Sequence, residues 1–239
     1  MRHAKLFLSF TFLTALSPVA LAADLPDRPV YKAPAMVVAR TWTGIYVGGH
    51  VGYAHDRYQS TDLVIGDTTT STLNGFIGGG QIGFNYQIGS VVLGVEGDYS
   101  WSNLKQETVD PFGLGTTGTA TFKNNYFATA GGRLGYAWDP ALLYIKGGAA
   151  WSKDSFDLAD PTGTARGRFN RTGWFVGAGV EWFLFGSTNW TGKVEYDYLR
   201  FGEINETLAT TGAITANPAN VKLETHMVKV GVNYLFRGF

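Results

Sequence analysis

This chain of 239 residues contains no cysteine. If it is exported, it is held by packing alone, with no disulfide, no thiolate nucleophile and no Cys-ligated metal. Past the N-terminus, no segment approaches the roughly 20 consecutive apolar residues that a spanning helix requires, which excludes an internal helical anchor. Charge of one sign is lacking too, since 19 Lys and Arg balance 19 Asp and Glu. Such neutrality favours neither nucleic acid nor a polyanionic substrate. Catalytic signatures are equally scarce. There is no Gly-x-Ser-x-Gly, no His-Glu-x-x-His and no phosphate loop, and Gly78-Gly79-Gly80 sits in a strand-like stretch with no helix behind it.

What is present is alternation. In Val228-Lys229-Val230-Gly231-Val232-Asn233-Tyr234-Leu235-Phe236 one face carries Val, Val, Val, Tyr and Phe, and the other includes Lys, Gly and Asn. Side chains of a strand point to opposite sides with period two, so this stretch has one apolar and one polar face. Eight stretches of this kind occur, at 42–55, 75–88, 90–102, 120–138, 141–155, 172–185, 189–202 and 226–237. Short connections follow the second, fourth and sixth: Ile88-Gly89-Ser90, Asp139-Pro140 and Gly186-Ser187-Thr188-Asn189. Long polar ones, 56–74, 103–119, 156–171 and 203–225, follow the others. Short turns at one end and long loops at the other are the rhythm of an outer-membrane barrel with its short turns in the periplasm. All seven tryptophans fall near proposed strand ends, Trp42, Trp138, Trp182 and Trp190 at one boundary and Trp101, Trp151 and Trp174 at the other. Two aromatic girdles are expected from that placement. Many of the 32 glycines recur inside strand-like stretches rather than in linkers, as tight barrel packing requires.

The N-terminus fits export. Arg2, His3 and Lys5 precede the apolar Leu6–Leu16 stretch, and Ala20-Leu21-Ala22 is a small-x-small cleavage site, with the cut after Ala22 or Ala23. The expected organisation is a signal peptide at 1–22, a Pro-bearing periplasmic arm at 23–41 and one barrel domain at 42–239. The fold class is all-β: an eight-stranded antiparallel transmembrane barrel of the outer membrane.

With apolar faces turned to lipid, the inward residues include His50, Gln81, Asn85, Glu96, Asp98, Arg133, Lys146, Glu181, Lys193, Glu195, Asp197, Lys229 and Asn233. Charged members alternate in sign between neighbouring strands, so Glu96 and Asp98 are expected to face Arg133, Lys146 to face Glu181, and Glu195 to face Lys229. Charges in a confined lumen are costly unless paired, and an eight-stranded barrel is just wide enough for its own side chains to fill. A plugged, ion-paired interior is the first reading and a narrow channel lined by the same residues the second. Glu195 and Asp197 lie two apart on one face, a spacing compatible with acid–base chemistry, but Lys193 and the basic strands beside them favour structural pairing. His55 and His226 close the first strand and open the eighth at the same end, so barrel closure brings two imidazoles to the outer rim as a candidate metal or haem-like ligand pair.

The strands Trp42-Thr43-Gly44-Ile45-Tyr46-Val47-Gly48-Gly49, Gly75-Phe76-Ile77-Gly78-Gly79-Gly80-Gln81-Ile82-Gly83, Gly131-Gly132-Arg133-Leu134-Gly135-Tyr136-Ala137, Lys193-Val194-Glu195-Tyr196-Asp197-Tyr198 and the closing Val230–Phe236 resemble the small outer-membrane immunogenic proteins of alphaproteobacteria, porin-family surface antigens. The resemblance spans 42–236. It implies an integral surface protein that contributes to envelope integrity, host contact and, in some members, haem binding. The partners expected are outer-membrane lipid and lipopolysaccharide, the barrel-assembly machinery, and a host or surface ligand at the loops; no nucleic acid, cofactor or catalytic residue is expected. Family members end at an aromatic matching Phe236, whereas this chain continues through Arg237-Gly238-Phe239, so two aromatics compete as the assembly signal.

Overall fold

The computed structural model describes residues 40–62, 66, 68–109, 118–161, 163–206, 209–212 and 219–237. The expected signal, its cleavage site and the arm before Arg40 lie outside them, as does Phe239. Among the described residues no helix is long and apolar enough to cross a membrane, which says nothing of strands.

The described residues form ten strands: β1 (Gly44–Asp62), β2 (Thr68–Ile88), β3 (Val91–Ser102), β4 (Lys105–Val109), β5 (Thr119–Trp138), β6 (Ala141–Asp160), β7 (Gly163–Phe183), β8 (Trp190–Glu206), β9 (Ala209–Gly212) and β10 (Ala219–Phe236). Eight of them form a closed antiparallel ring in the order β1–β2–β3–β5–β6–β7–β8–β10, with β10 returning to β1. Closure leaves no sheet edge around the ring, the condition for a β structure in lipid. The short β4 and β9 continue the wall above β3 and β8 by pairing with β5 and β7.

The outer face carries the apolar alternates. Val51, Ile82, Val95, Leu134, Ile145, Val176, Val194 and Val230 are exposed around the ring. Trp101, Trp138, Trp151, Trp174 and Trp190 are exposed and Trp182 half-exposed, at the two borders of this band. Trp42 is the exception to the girdle expectation. It is buried against Phe183, ring centroids 4.4 Å apart, and plugs the turn end from inside. The residue precedes the first ladder pair, so strand parity does not govern it.

The long connections expected at the other end are a second correction. The ladder runs through most of them: β1 and β2 pair out to Thr61–Thr68, and β6 and β7 to Asp160–Gly163. Beyond the apolar band the outward positions meet water, as Arg57 and Arg168 do. Apolar alternation therefore stops there, while backbone hydrogen bonding continues.

Close packing inside uses glycine where a ring must lie flat on the opposite strand. Tyr46 stands directly opposite Gly83 and Tyr144 directly opposite Gly179. A Cβ at either glycine would collide with the tyrosine ring. Both rings are thereby directed into the lumen.

Candidate functional site

All thirteen residues assigned inward from the sequence are buried. The charged ones form one layer of the lumen, joined by a continuous set of ion pairs and hydrogen bonds. Lys229 lies directly opposite Glu195 in the β10–β8 register, with its Nζ 3.0 Å from the carboxylate, 3.1 Å from Asp98 and 2.6 Å from Asp197. Lys146 contacts Glu195 at 2.7 Å, Glu96 at 2.8 Å and Asp197 at 3.6 Å. Lys193 contacts Glu195 at 3.3 Å and Glu96 at 3.5 Å.

Two pairings differ from those drawn from strand adjacency. Arg133 meets Glu181 across the lumen rather than Glu96 or Asp98, and Lys146 meets Glu96 and Glu195 rather than Glu181. Long side chains in so narrow a ring reach past the neighbouring strand, so adjacency alone does not select the partner.

Hydrogen bonds complete the layer. The Tyr46 and Tyr144 hydroxyls donate to Glu96 and Glu195, each at 2.7 Å. Glu181 accepts from Asn233 Nδ2 at 2.8 Å and from the Thr191 hydroxyl. His50 is held between Gln81 at 2.6 Å and Ser100 at 2.8 Å, with Asp98 3.6 Å away. The Arg133 guanidinium lies 3.6 Å from the Tyr144 ring centroid, a cation–π contact. The tyrosines escaped the sequence reading of the polar layer, although they share the inward parity of His50 and Lys146.

Apolar layers lie on both sides of the charges. Toward the turns are Trp42, Tyr46, Val92, Leu142, Phe183 and Leu235. Toward the other end is a thicker layer that includes Ile77, Phe127, Phe175, Leu199, Phe201 and Met227. Beyond it, above the apolar belt, sits a second polar group: Arg171 Nε donates to Asp154 at 2.8 Å, Asn124 Nδ2 donates to the same carboxylate at 2.7 Å, and Asp56 is completely buried nearby.

Glu96, Asp98 and Glu195 each bring a carboxylate oxygen within 4.8 Å of the others, a spacing that could hold a cation. The ammonium groups of Lys146, Lys193 and Lys229 already neutralise those oxygens. His55 and His226 stand directly opposite each other on β1 and β10, ring centroids 6.4 Å apart. They face outward, not into the rim. His226 Nδ1 bonds the Tyr196 hydroxyl at 2.7 Å and His55 Nδ1 is engaged by Asn74.

A closed antiparallel ring with an apolar exterior, bordering aromatics and a charged interior is an outer-membrane β-barrel. The chain belongs to the outer membrane protein beta-barrel domain family, whose profile matches residues 11–236. It is 33% identical over 232 residues to the 31 kDa outer-membrane immunogenic protein of Brucella melitensis, across 91% of this chain and 93% of that one. With the 25 kDa outer-membrane immunogenic protein of Brucella abortus the identity is 30% over 230 residues, 94% of each chain. Among solved structures, the outer membrane protease OmpT of Escherichia coli superposes with a TM-score of 0.53 at 13% identity, over 84% of this chain and 99% of that one, a likeness of fold alone. The protein is an integral outer-membrane protein of a Gram-negative bacterium.

Proposed function

We propose that this barrel is a closed, non-enzymatic element of the outer membrane that works through its outer surface as a structural protein and surface antigen. The observation that carries the reading is the sequence of lumen layers: a neutralised charge layer lies between two apolar ones. An ion crossing the lumen would have to shed water against Phe127, Phe175 and Phe201 and then break ion pairs. Both steps are costly in a low-dielectric interior. The same layers separate Glu195 and Asp197 from any substrate. The names of the Brucella relatives support the antigen role.

In this reading the short turns face the periplasm and the extended strand ends face outward. Single-channel recording of the refolded protein in planar bilayers tests the closed lumen, and the expected trace is silent. Steady conductance from the wild-type protein would replace this reading with the passive channel. An epitope tag placed between β6 and β7 should be labelled on intact cells, and one at Ser187–Thr188 should not.

A further inference from the structure

One sector of the outer wall above the aromatic belt carries a dense row of cations. On β4, β5, β6 and β7 the register places Lys105 opposite Lys123, Lys123 opposite Ser155 and Ser155 opposite Arg168, so one cross-strand row presents three cations on the outward face. Lys153, also outward, lies one step below this row and Arg166 one step above. Lys105 is paired with Glu107 at 2.9 Å and Arg166 with Asp157 at 3.5 Å. Among the described residues, Lys123, Lys153 and Arg168 have no carboxylate within ion-pair distance. Like charges directly opposite each other destabilise a sheet; Glu107 offsets the Lys105–Lys123 pair, which leaves Lys153 and Arg168, with Lys123, facing an anion from outside the chain. The side chains border an open groove of about 520 Å³ lined by Lys123, Asn125, Lys153, Ser155 and Arg168 among others. The far side of the ring at this level carries Arg57, Arg200 and Lys222 with Glu224 set among them, opposite Arg57 and 4.0 Å from Arg200.

Height identifies the anion. On β6 the girdle residue Trp151 precedes Lys153 by two positions and Ser155 by four, roughly 7 and 13 Å along the strand. Trp174 and Tyr126 border the belt on the flanking strands. Groups just above an aromatic girdle meet lipid headgroups. We infer that the β4–β7 wall is a binding site for the phosphorylated sugar headgroup of outer-leaflet lipopolysaccharide, with Lys123, Lys153 and Arg168 clamping phosphate oxygens and Ser155 and Asn125 available to bond sugar hydroxyls. Lysine and arginine suit this task as charge-assisted donors to phosphate. The inference rests on the outward orientation proposed above and not on whether the lumen conducts.

Full-length refolded protein in zwitterionic micelles, titrated with purified rough lipopolysaccharide and followed by tryptophan fluorescence, tests it. The double change Lys123→Gln and Arg168→Gln should weaken binding about thirtyfold, and Lys153→Gln alone about fivefold. Lys123→Arg with Arg168→Lys should retain most of the affinity, and Arg57→Gln on the far wall should leave it unchanged. Heat-modified gel mobility reports whether each variant is folded, and the single Lys153 variant carries the test if the double one is not. Undiminished binding by the glutamine variants would overturn the site. An equal loss in Arg57→Gln would reduce it to diffuse attraction. Equal affinity for dephosphorylated lipopolysaccharide would remove phosphate as the ligand group. Displacement by inorganic phosphate or phosphatidylglycerol at matched phosphate concentration would show a general anion site and overturn the lipopolysaccharide assignment.

Discussion

Replacing Lys229 with Met should destabilise the barrel by about 3–5 kcal/mol, the range for breaking a buried ion pair from one side. The effect follows from what the ammonium holds. It touches Asp98, Glu195 and Asp197, and its 2.6 Å contact with Asp197 is the shortest of the three. Without it, Asp197 retains only Lys146 at 3.6 Å among the described contacts. Five lumen acids would then face Arg133, Lys146 and Lys193. Glu195→Gln should also be costly, because Lys146, Lys193 and Lys229 share that carboxylate and the Tyr144 hydroxyl donates to it. Combining the two changes removes one charge of each sign and restores the original balance. The double variant should therefore lose less than the sum of the single losses, by about 1–3 kcal/mol. Reversible urea unfolding in lipid vesicles, followed by tryptophan fluorescence, measures all four proteins. Additivity within about 0.5 kcal/mol would show that Glu195 and Lys229 are not energetically coupled, and the picture of a shared charge layer would fail.

Val230→Arg, in the middle of the lipid face, should destabilise the barrel by about 2–4 kcal/mol, against about 0–1 for Phe236→Arg at the border; equal losses in the same unfolding assay would contradict the placement of the belt. Gly83→Ala and Gly179→Ala should each cost about 1–3 kcal/mol by driving the Tyr46 and Tyr144 rings off the wall, whereas Gly78→Ala, with no atom nearer than 3.7 Å, should be close to neutral. Asp56→Asn should leave stability unchanged or raise it. Neither carboxylate oxygen accepts a well-formed hydrogen bond among the described residues, and the nearby Arg171 is committed to Asp154. A loss above about 1 kcal/mol on urea unfolding would show that the Asp56 charge has a partner.

The sequence alone determines which face of each strand meets lipid, since a period-two alternation leaves only one assignment that keeps Val51, Val194 and Val230 in the same medium. That parity places the charged residues of the central layer, though not Asp56, Asp154 and Arg171 beyond it, and with the short turns it determines the number, order and closure of the ring strands. Trp42 falls outside this logic because it stands before the first ladder pair. The extra strand length beyond the belt was illegible for a related reason. Residues such as Arg57 and Arg168 face water on the outside, so no hydrophobic contrast marks them as strand, although their backbones remain paired.

Tertiary structure alone decided which charges meet. Arg133 finds Glu181, and Lys146 finds Glu96 and Glu195, because the ring is narrow and the shear of the strands brings distant sequence positions to one height. The apolar layers above and below, and the cation row across β4 to β7, are likewise invisible along any one strand. Alternation reports what a residue faces. Only closure of the ring, with its register, reports which residues share a level, and contact in a barrel depends on level as much as on face.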